Sequence, residues 1–129
     1  MIKPQPTRIP KSMREYLKAY AKFQGRKFDS LCHEILVKFM EIKPYEGRMV
    51  IHIPLSSRSG AGVAQDWVQV NFFITDELNW HAQKLADELH VSKASLLYTS
   101  LYWFVKYIRP PQGMDAFAGT TVPKVEGVA

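Results

Sequence analysis

The sequence predicts a mainly α fold with a short two-stranded antiparallel β-ribbon, built from one strand–helix–turn–helix unit of roughly 40 residues used twice. Three observations predict it. An extended stretch ends at Ile9-Pro10 and the turn residue Gly25 follows Pro10 by fifteen positions; another ends at Ile74-Thr75, and His90 follows Thr75 by fifteen. Each turn leads into a second segment of helical apolar spacing that runs to a proline: Phe28 to Lys43 before Pro44, and Ser92 to Arg109 before Pro110-Pro111. The third is the alternation from Trp67 to Ile74, the clearest strand pattern in the chain. Together they describe a tandem in which one chain supplies both halves of a dimer-like unit, a monomer with pseudo-two-fold symmetry. The halves are residues 1–43 and 67–109, joined by a linker at 44–66 and followed by a loose tail at 110–129.

A chain of 129 residues with 47% hydrophobic content is of one-domain size and rich enough for a core. Either half alone is too small to bury much apolar surface, so the two are expected to fold against each other. Cys32 is the only cysteine, which excludes a disulfide framework within the chain and fits a reducing cytoplasm. No apolar run approaches the ~18–20 residues of a membrane span. The first six residues have no apolar core like that of a signal peptide. A soluble cytoplasmic protein with no membrane partner is expected. The net charge of +5 is uneven: residues 1–48 carry eleven Lys/Arg against five Asp/Glu, and residues 49–129 carry six against seven. That excess on the first strand and helix suits a polyanion-facing surface, with a merely solvated basic helix as the plainer reading.

In the first unit, Met13, Tyr16, Leu17, Tyr20 and Ala21 fall at helical spacing, with Lys11, Arg14, Lys18 and Lys22 on another face. Pro10 or Ser12 starts this helix, and Gly25 ends it in the left-handed region that glycine enters freely. The next helix buries Leu31 or Cys32, Ile35, Leu36, Phe39 and Met40. Lys27 or Asp29 caps it, the Asp29 carboxylate being the better acceptor. In the linker, Ser56 to Gly62 is turn-rich, while Met49 to Ile53 reads as an extra strand without a counterpart.

In the second unit, Val68, Val70, Phe72 and Ile74 face one side of the strand and Gln69, Asn71 and Phe73 the other. Thr75 is a good N-cap, and Asp76 and Glu77 sit at the positive end of the helix it opens. Leu78, Ala82, Leu85 and Leu89 form the expected buried stripe, and His90 takes the turn. Ser92 caps a last helix that is apolar nearly all round, as expected of a central helix.

This order of strand, helix, turn and capped helix resembles the ribbon-helix-helix family of Arc- and MetJ-like DNA-binding proteins, over residues 4–43 and 68–109. The resemblance implies that one strand from each unit pairs into a ribbon that enters a major groove. Outward side chains then meet base edges, and the start of each second helix points N–H groups at a phosphate. Carried onto this sequence, it makes Gln69, Asn71 and Phe73 base readers, with Arg8 reading guanine. Phosphate contacts fall to Ser92, Lys93 and Ala94 at one helix start and to Lys27 and Phe28 at the other, flanked by Lys11, Arg14 and Lys18. The plainer role for Gln69 and Asn71 is to solvate a half-buried strand.

In the first unit the same register puts Pro4, Pro6 and Arg8 outward and Gln5, Thr7 and Ile9 inward. Prolines two positions apart leave their missing N–H groups on one strand edge, which a ribbon can leave unpaired. Gln5 and Thr7 are poor core residues, so Met49–Ile53 stands as the other candidate partner for residues 68–74. Phe73 is out of place on an exposed ribbon unless the tail or Met49–Ile53 covers it.

No pattern for catalysis, metal or cofactor stands out. His33, His52, His81 and His90 are dispersed, and Cys32 on an apolar helix face reads as a buried thiol. Trp67, Trp80 and Trp103 read as core and interface residues. The expected function is site-specific binding of double-stranded DNA, without enzymatic activity. Tandem single-chain forms are similar to TraY-type accessory proteins of conjugation. That resemblance implies a plasmid or mobile-element protein acting as a transcription regulator (a repressor) or relaxosome accessory factor. It also implies a relaxase or other protein as a further partner and cooperative assembly on adjacent sites, and because the two halves differ an asymmetric target is expected. The alternative, from a different class, is a protein-interaction adaptor, antitoxin-like or relaxase-docking, with little direct DNA binding.

Overall fold

In the computed structural model, which describes residues 2–47, 50–54 and 66–111, the fold is mostly helical with one two-stranded antiparallel sheet. Strand β1 (Ile2–Pro10) leads into α1 (Lys11–Phe23) and α2 (Phe28–Ile42), followed by a short 3-10 turn at Pro44–Glu46. Strand β2 (Trp67–Thr75) leads into α3 (Asp76–Leu89) and α4 (Lys93–Trp103), which widens into a π turn over Phe104–Ile108.

The partner of β2 is β1, with Ile2 opposite Thr75, Pro6 opposite Asn71 and Pro10 opposite Trp67. Antiparallel pairs alternate between those that exchange N–H···O bonds and those that do not. Pro4, Pro6 and Pro10 have no N–H and share one parity, so they occupy the non-exchanging positions. The Lys11 N–H, next in the other parity, donates to the Asp66 carbonyl at 2.8 Å. The prolines therefore remove nothing from the ladder.

Val50–Pro54 form no strand, contrary to the strand expected over Met49–Ile53. This segment instead finds its hydrogen bonds on α4, where the His52 N–H donates to Thr99 Oγ1 at 2.9 Å and Thr99 Oγ1 donates back to the His52 carbonyl at 3.3 Å. Val50 and Ile53 point to solvent, which removes the apolar reason for a strand here. The turn-rich stretch from Ser56 to Gly62 and nearly all of the tail lie outside the described residues.

The His52 ring lies edge-on to Tyr102 with centroids 4.2 Å apart, and its burial lowers its pKa from the ordinary 6.5. The unfolded chain then binds this proton more readily than the folded one, so the contribution is present above pH 6.5 and is lost as pH falls below it. Chemical denaturation at pH 7.5 and pH 5.5 is expected to show a stability loss at the lower pH that His52→Phe reduces. An equal loss in the variant would assign the effect to other groups.

The core lies between the inner ribbon face and the helices. Ile9, Val70, Phe72 and Ile74 meet Met13, Leu17 and Ala21 of α1 and Leu31, Cys32, Ile35, Leu36 and Phe39 of α2. Helix α4 is buried over Ser95–Trp103, the all-round apolar helix of the sequence. Two of its buried hydroxyls are bonded locally, Ser100 Oγ donating to the Leu97 carbonyl at 2.7 Å and Ser95 Oγ accepting from Ser92 Oγ at 2.9 Å, while the buried Tyr98 hydroxyl has no hydrogen-bond partner among the described residues. Burial pushes the Cys32 thiol up to about 12, leaving no reactive thiolate.

Several local expectations change. Lys27, without a side-chain bond, is the N-cap of α2, and Asp29 lies in the first turn beyond it. Lys43 ends α2 in the left-handed region with φ 59°. On α3 only Ala82 and Ala86 are fully buried, while Leu78, Leu85 and Leu89 are half-buried around them. Trp80 lies on another face and is 58% exposed, with Lys84 Nζ 5.1 Å from its ring centroid. Trp67 shares the outward parity of Gln69 yet is buried, because at the end of the ribbon its ring packs edge-on to Tyr98 at 5.2 Å.

Candidate nucleic-acid interface

The outward face of the ribbon is made of three cross-strand pairs: Arg8 with Gln69, Pro6 with Asn71, and Pro4 with Phe73. Alternation in β2 puts Val70, Phe72 and Ile74 in the core, which forces Gln69, Asn71 and Phe73 out. In β1 the same rule buries Thr7 and Ile9 and turns Pro4, Pro6 and Arg8 out. Gln69 is exposed, Asn71 and Arg8 are half-buried, and Phe73 is 40% exposed. Phe73 is flanked by α2, sharing a surface depression with Asp29, Ser30 and His33, and the tail expected as a possible cover lies almost wholly outside the described residues. Gln69 Nε2 donates to Asn71 Oδ1 at 3.3 Å, so two amides already lie side by side on the surface.

Thr7, a poor core residue by type, is 3% exposed and donates to the Ala94 carbonyl at 2.6 Å. That bond satisfies a buried hydroxyl and ties the start of α4 to β1. At this start Ser92 Oγ accepts from the Ser95 N–H at 3.0 Å, and the first turn holds no acidic residue. The Lys93 ammonium donates to Asn79 Oδ1 at 2.7 Å, and burial lowers its pKa. The cation expected to reach outward is thus held against α3, while the backbone start of α4 remains beside the ribbon.

The start of α2 is built differently. Lys27 is exposed and Phe28 half-buried, with Lys18 Nζ 5.6 Å from the Phe28 ring centroid. Asp29 is exposed in the first turn, its carboxylate at the helix end that would otherwise attract an anion. Arg26 pairs with Glu34 at 2.5 Å. Arg26, Asp29, Ser30, His33, Glu34 and Phe73 line a surface depression between α2 and the ribbon.

On α1, Lys11 and Lys18 are exposed, while Arg14 is half-buried with its Nε lacking a hydrogen-bond partner among the described residues. The structure thus brings Gln69, Asn71, Phe73 and Arg8 onto one face and splits the phosphate candidates between two unlike helix starts. Thr7 and Asn79 were not legible as site residues. A polar residue at an inward strand position was the available signal for Thr7; Asn79 gave none.

A second concavity of about 440 Å³ runs along α2 beside the end of α4 and the π turn, its apolar lining made of Leu31, Ile35, Ile42, Trp103, Phe104 and Ile108. No helix among the described residues is long and apolar enough to cross a membrane. Compared with protein-family models, with curated proteins and with solved structures, the chain matches none of them.

Proposed function

We propose that this chain is a tandem ribbon-helix-helix protein that binds double-stranded DNA through its ribbon. One observation carries the reading: the landmarks of β1–α1–α2 recur 65 positions later in β2–α3–α4. Pro10 and Thr75 are the two helix caps, Gly25 and His90 both take positive φ (68° and 60°), and Phe28 and Lys93 open the second helices. The same offset applied to the strand register makes Pro6 and Asn71 equivalent, at the centre of the ribbon. A groove-wide ribbon with amides facing out has the dimensions and chemistry for base edges.

In this proposal Gln69, Asn71 and Arg8 read bases and Phe73 meets a thymine methyl. The α4 start and Lys11, Lys18 and Lys27 hold phosphates. The role is that of a transcription regulator or relaxosome accessory factor of a plasmid or mobile element, acting in the cytoplasm on an asymmetric target. The test is anisotropy titration of labelled duplex at two salt concentrations. Non-specific binding near 10⁻⁴–10⁻⁶ M that weakens steeply with salt is expected. On a selected target, Asn71→Ala should cost about 1–3 kcal/mol at one base position. Lys93→Ala should weaken all sequences alike, and only slightly, because its ammonium is shared with Asn79. Binding by both variants that equals wild type on target and random duplex alike would reject ribbon reading.

The groove floored by Trp103 and Ile35 favours a second reading, a protein-interaction adaptor, since exposed apolar concavities mark partner sites. Absence of duplex binding at low salt would select it.

A further inference from the structure

Resting on the DNA-binding reading, we infer that the ribbon face has a direction: one end reads purine edges and the other takes only thymine methyl groups. From the Pro10–Trp67 end, the outward pairs run Arg8–Gln69, Pro6–Asn71, Pro4–Phe73, and Ile2 with Thr75. The long hydrogen-bonding side chains of this face lie at the first end and the centre. The guanidinium of Arg8 and the bonded amides of Gln69 and Asn71 supply donors and acceptors in fixed order. Beyond the Pro6–Asn71 pair the face carries Pro4, Phe73, Ile2 and Thr75; the Thr75 hydroxyl caps α3 by accepting from the Leu78 N–H, and Ile2 and Phe73 are both exposed. Carbon surface of this kind discriminates only the thymine methyl among major-groove features.

The helix starts differ in the same sense, and independently. Thr7, beside Arg8, bonds to the α4 start, whose first turn is free of acidic residues. Phe73 shares its depression with Asp29 in the first turn of α2 and with the Arg26–Glu34 ion pair, which leaves the Asp29 carboxylate as the uncompensated charge of that lining. A carboxylate there repels the phosphate that would clamp the apolar end. The reading end is held to the backbone through an acid-free helix start, whereas at the apolar end Asp29 offsets the pull of Lys27 on phosphate, so base contact carries the larger share there. In a symmetric dimer both ends would be alike; in this chain each end has one chemistry.

The direction is tested on a duplex selected from a random pool, by replacing single bases and reading affinity by anisotropy. Substituting 7-deazapurines removes the N7 acceptor, and substituting deoxyuridine for thymidine removes the methyl. N7 sensitivity of about tenfold per position is expected in one half of the site only. Deoxyuridine sensitivity of roughly three- to fivefold per methyl is expected in the other half only. Phe73→Ala should abolish the deoxyuridine effect and leave the N7 effect, Phe73→Leu should retain both, and Arg8→Ala should remove N7 sensitivity at the outermost guanine. Circular dichroism of each variant checks that the fold is kept. N7 and methyl sensitivities mixed in both halves, or a palindromic selected site, would overturn the direction while leaving duplex binding standing. Failure of every duplex to bind would overturn the underlying reading, and the direction with it.

Discussion

Phe39→Ala is expected to destabilise the fold by about 3–5 kcal/mol, a large share of the ~5–15 kcal/mol available to a domain of this size. Phe39 is 0% exposed on the face of α2 that meets α4. Its ring centroid lies 5.6 Å from that of Trp103 and 5.4 Å from that of Tyr45. Truncation removes the transfer free energy of the ring and leaves a cavity. Trp103 belongs to a helix packed on all sides, so its backbone has little room to collapse into the space. Urea unfolding followed by circular dichroism should show a lower midpoint at unchanged slope. Phe23→Ala is the control: at 88% exposed, its change should stay within about 0.5 kcal/mol. Similar midpoints for the two variants would mean that the α2–α4 contact is not the centre of the core.

Asn71→Asp is expected to lower affinity for the selected duplex on the order of 10²-fold, about 3 kcal/mol, with little change in stability. Asn71 is half-buried at the middle of the outward face, so the fold tolerates a carboxylate there. In the major groove that carboxylate faces purine N7 and O6 acceptors without a donor of its own, and it adds negative charge among phosphates. It also keeps an acceptor for Gln69 Nε2, so the neighbouring amide stays in place. Titration of the variant against target and random duplex, beside a thermal melt, checks the expectation. Undiminished affinity would place the bases elsewhere than at the ribbon centre.

The two strands, the four helices and most of the inward and outward faces were legible because each rests on local physics. Alternation in β2 and the Thr75 and Ser92 caps are decided by neighbours within a few residues, and both caps accept the expected N–H. The positive φ at Gly25 and His90 marks turns that their spacing from the strands had already located. Met49–Ile53 misled because apolar alternation specifies a strand only where an edge is free to pair with it. Thr99 offered the backbone of His52 another partner. Trp80 misled because a large apolar residue is buried only if something packs on its face of the helix, and the core met α3 through Ala82 and Ala86.

The candidate site divides along the same line. Which side chains leave the ribbon outward was set by parity, a property of the backbone that one strand decides for itself. Which of them stand together depended on register, because Arg8 meets Gln69 and Pro4 meets Phe73 only once β1 has chosen β2 as its partner. Tertiary packing also made the two helix starts unlike, by drawing Lys93 onto Asn79, tying Thr7 to Ala94 and leaving Asp29 beside Phe73. The sequence by itself determined the elements, their caps and their faces, since those follow from interactions within one or two helical turns. The tertiary structure alone decided the pairing and the asymmetry of the ribbon face, since these depend on contacts between separate elements, from 14 positions apart for Asn79 and Lys93 to 87 for Thr7 and Ala94.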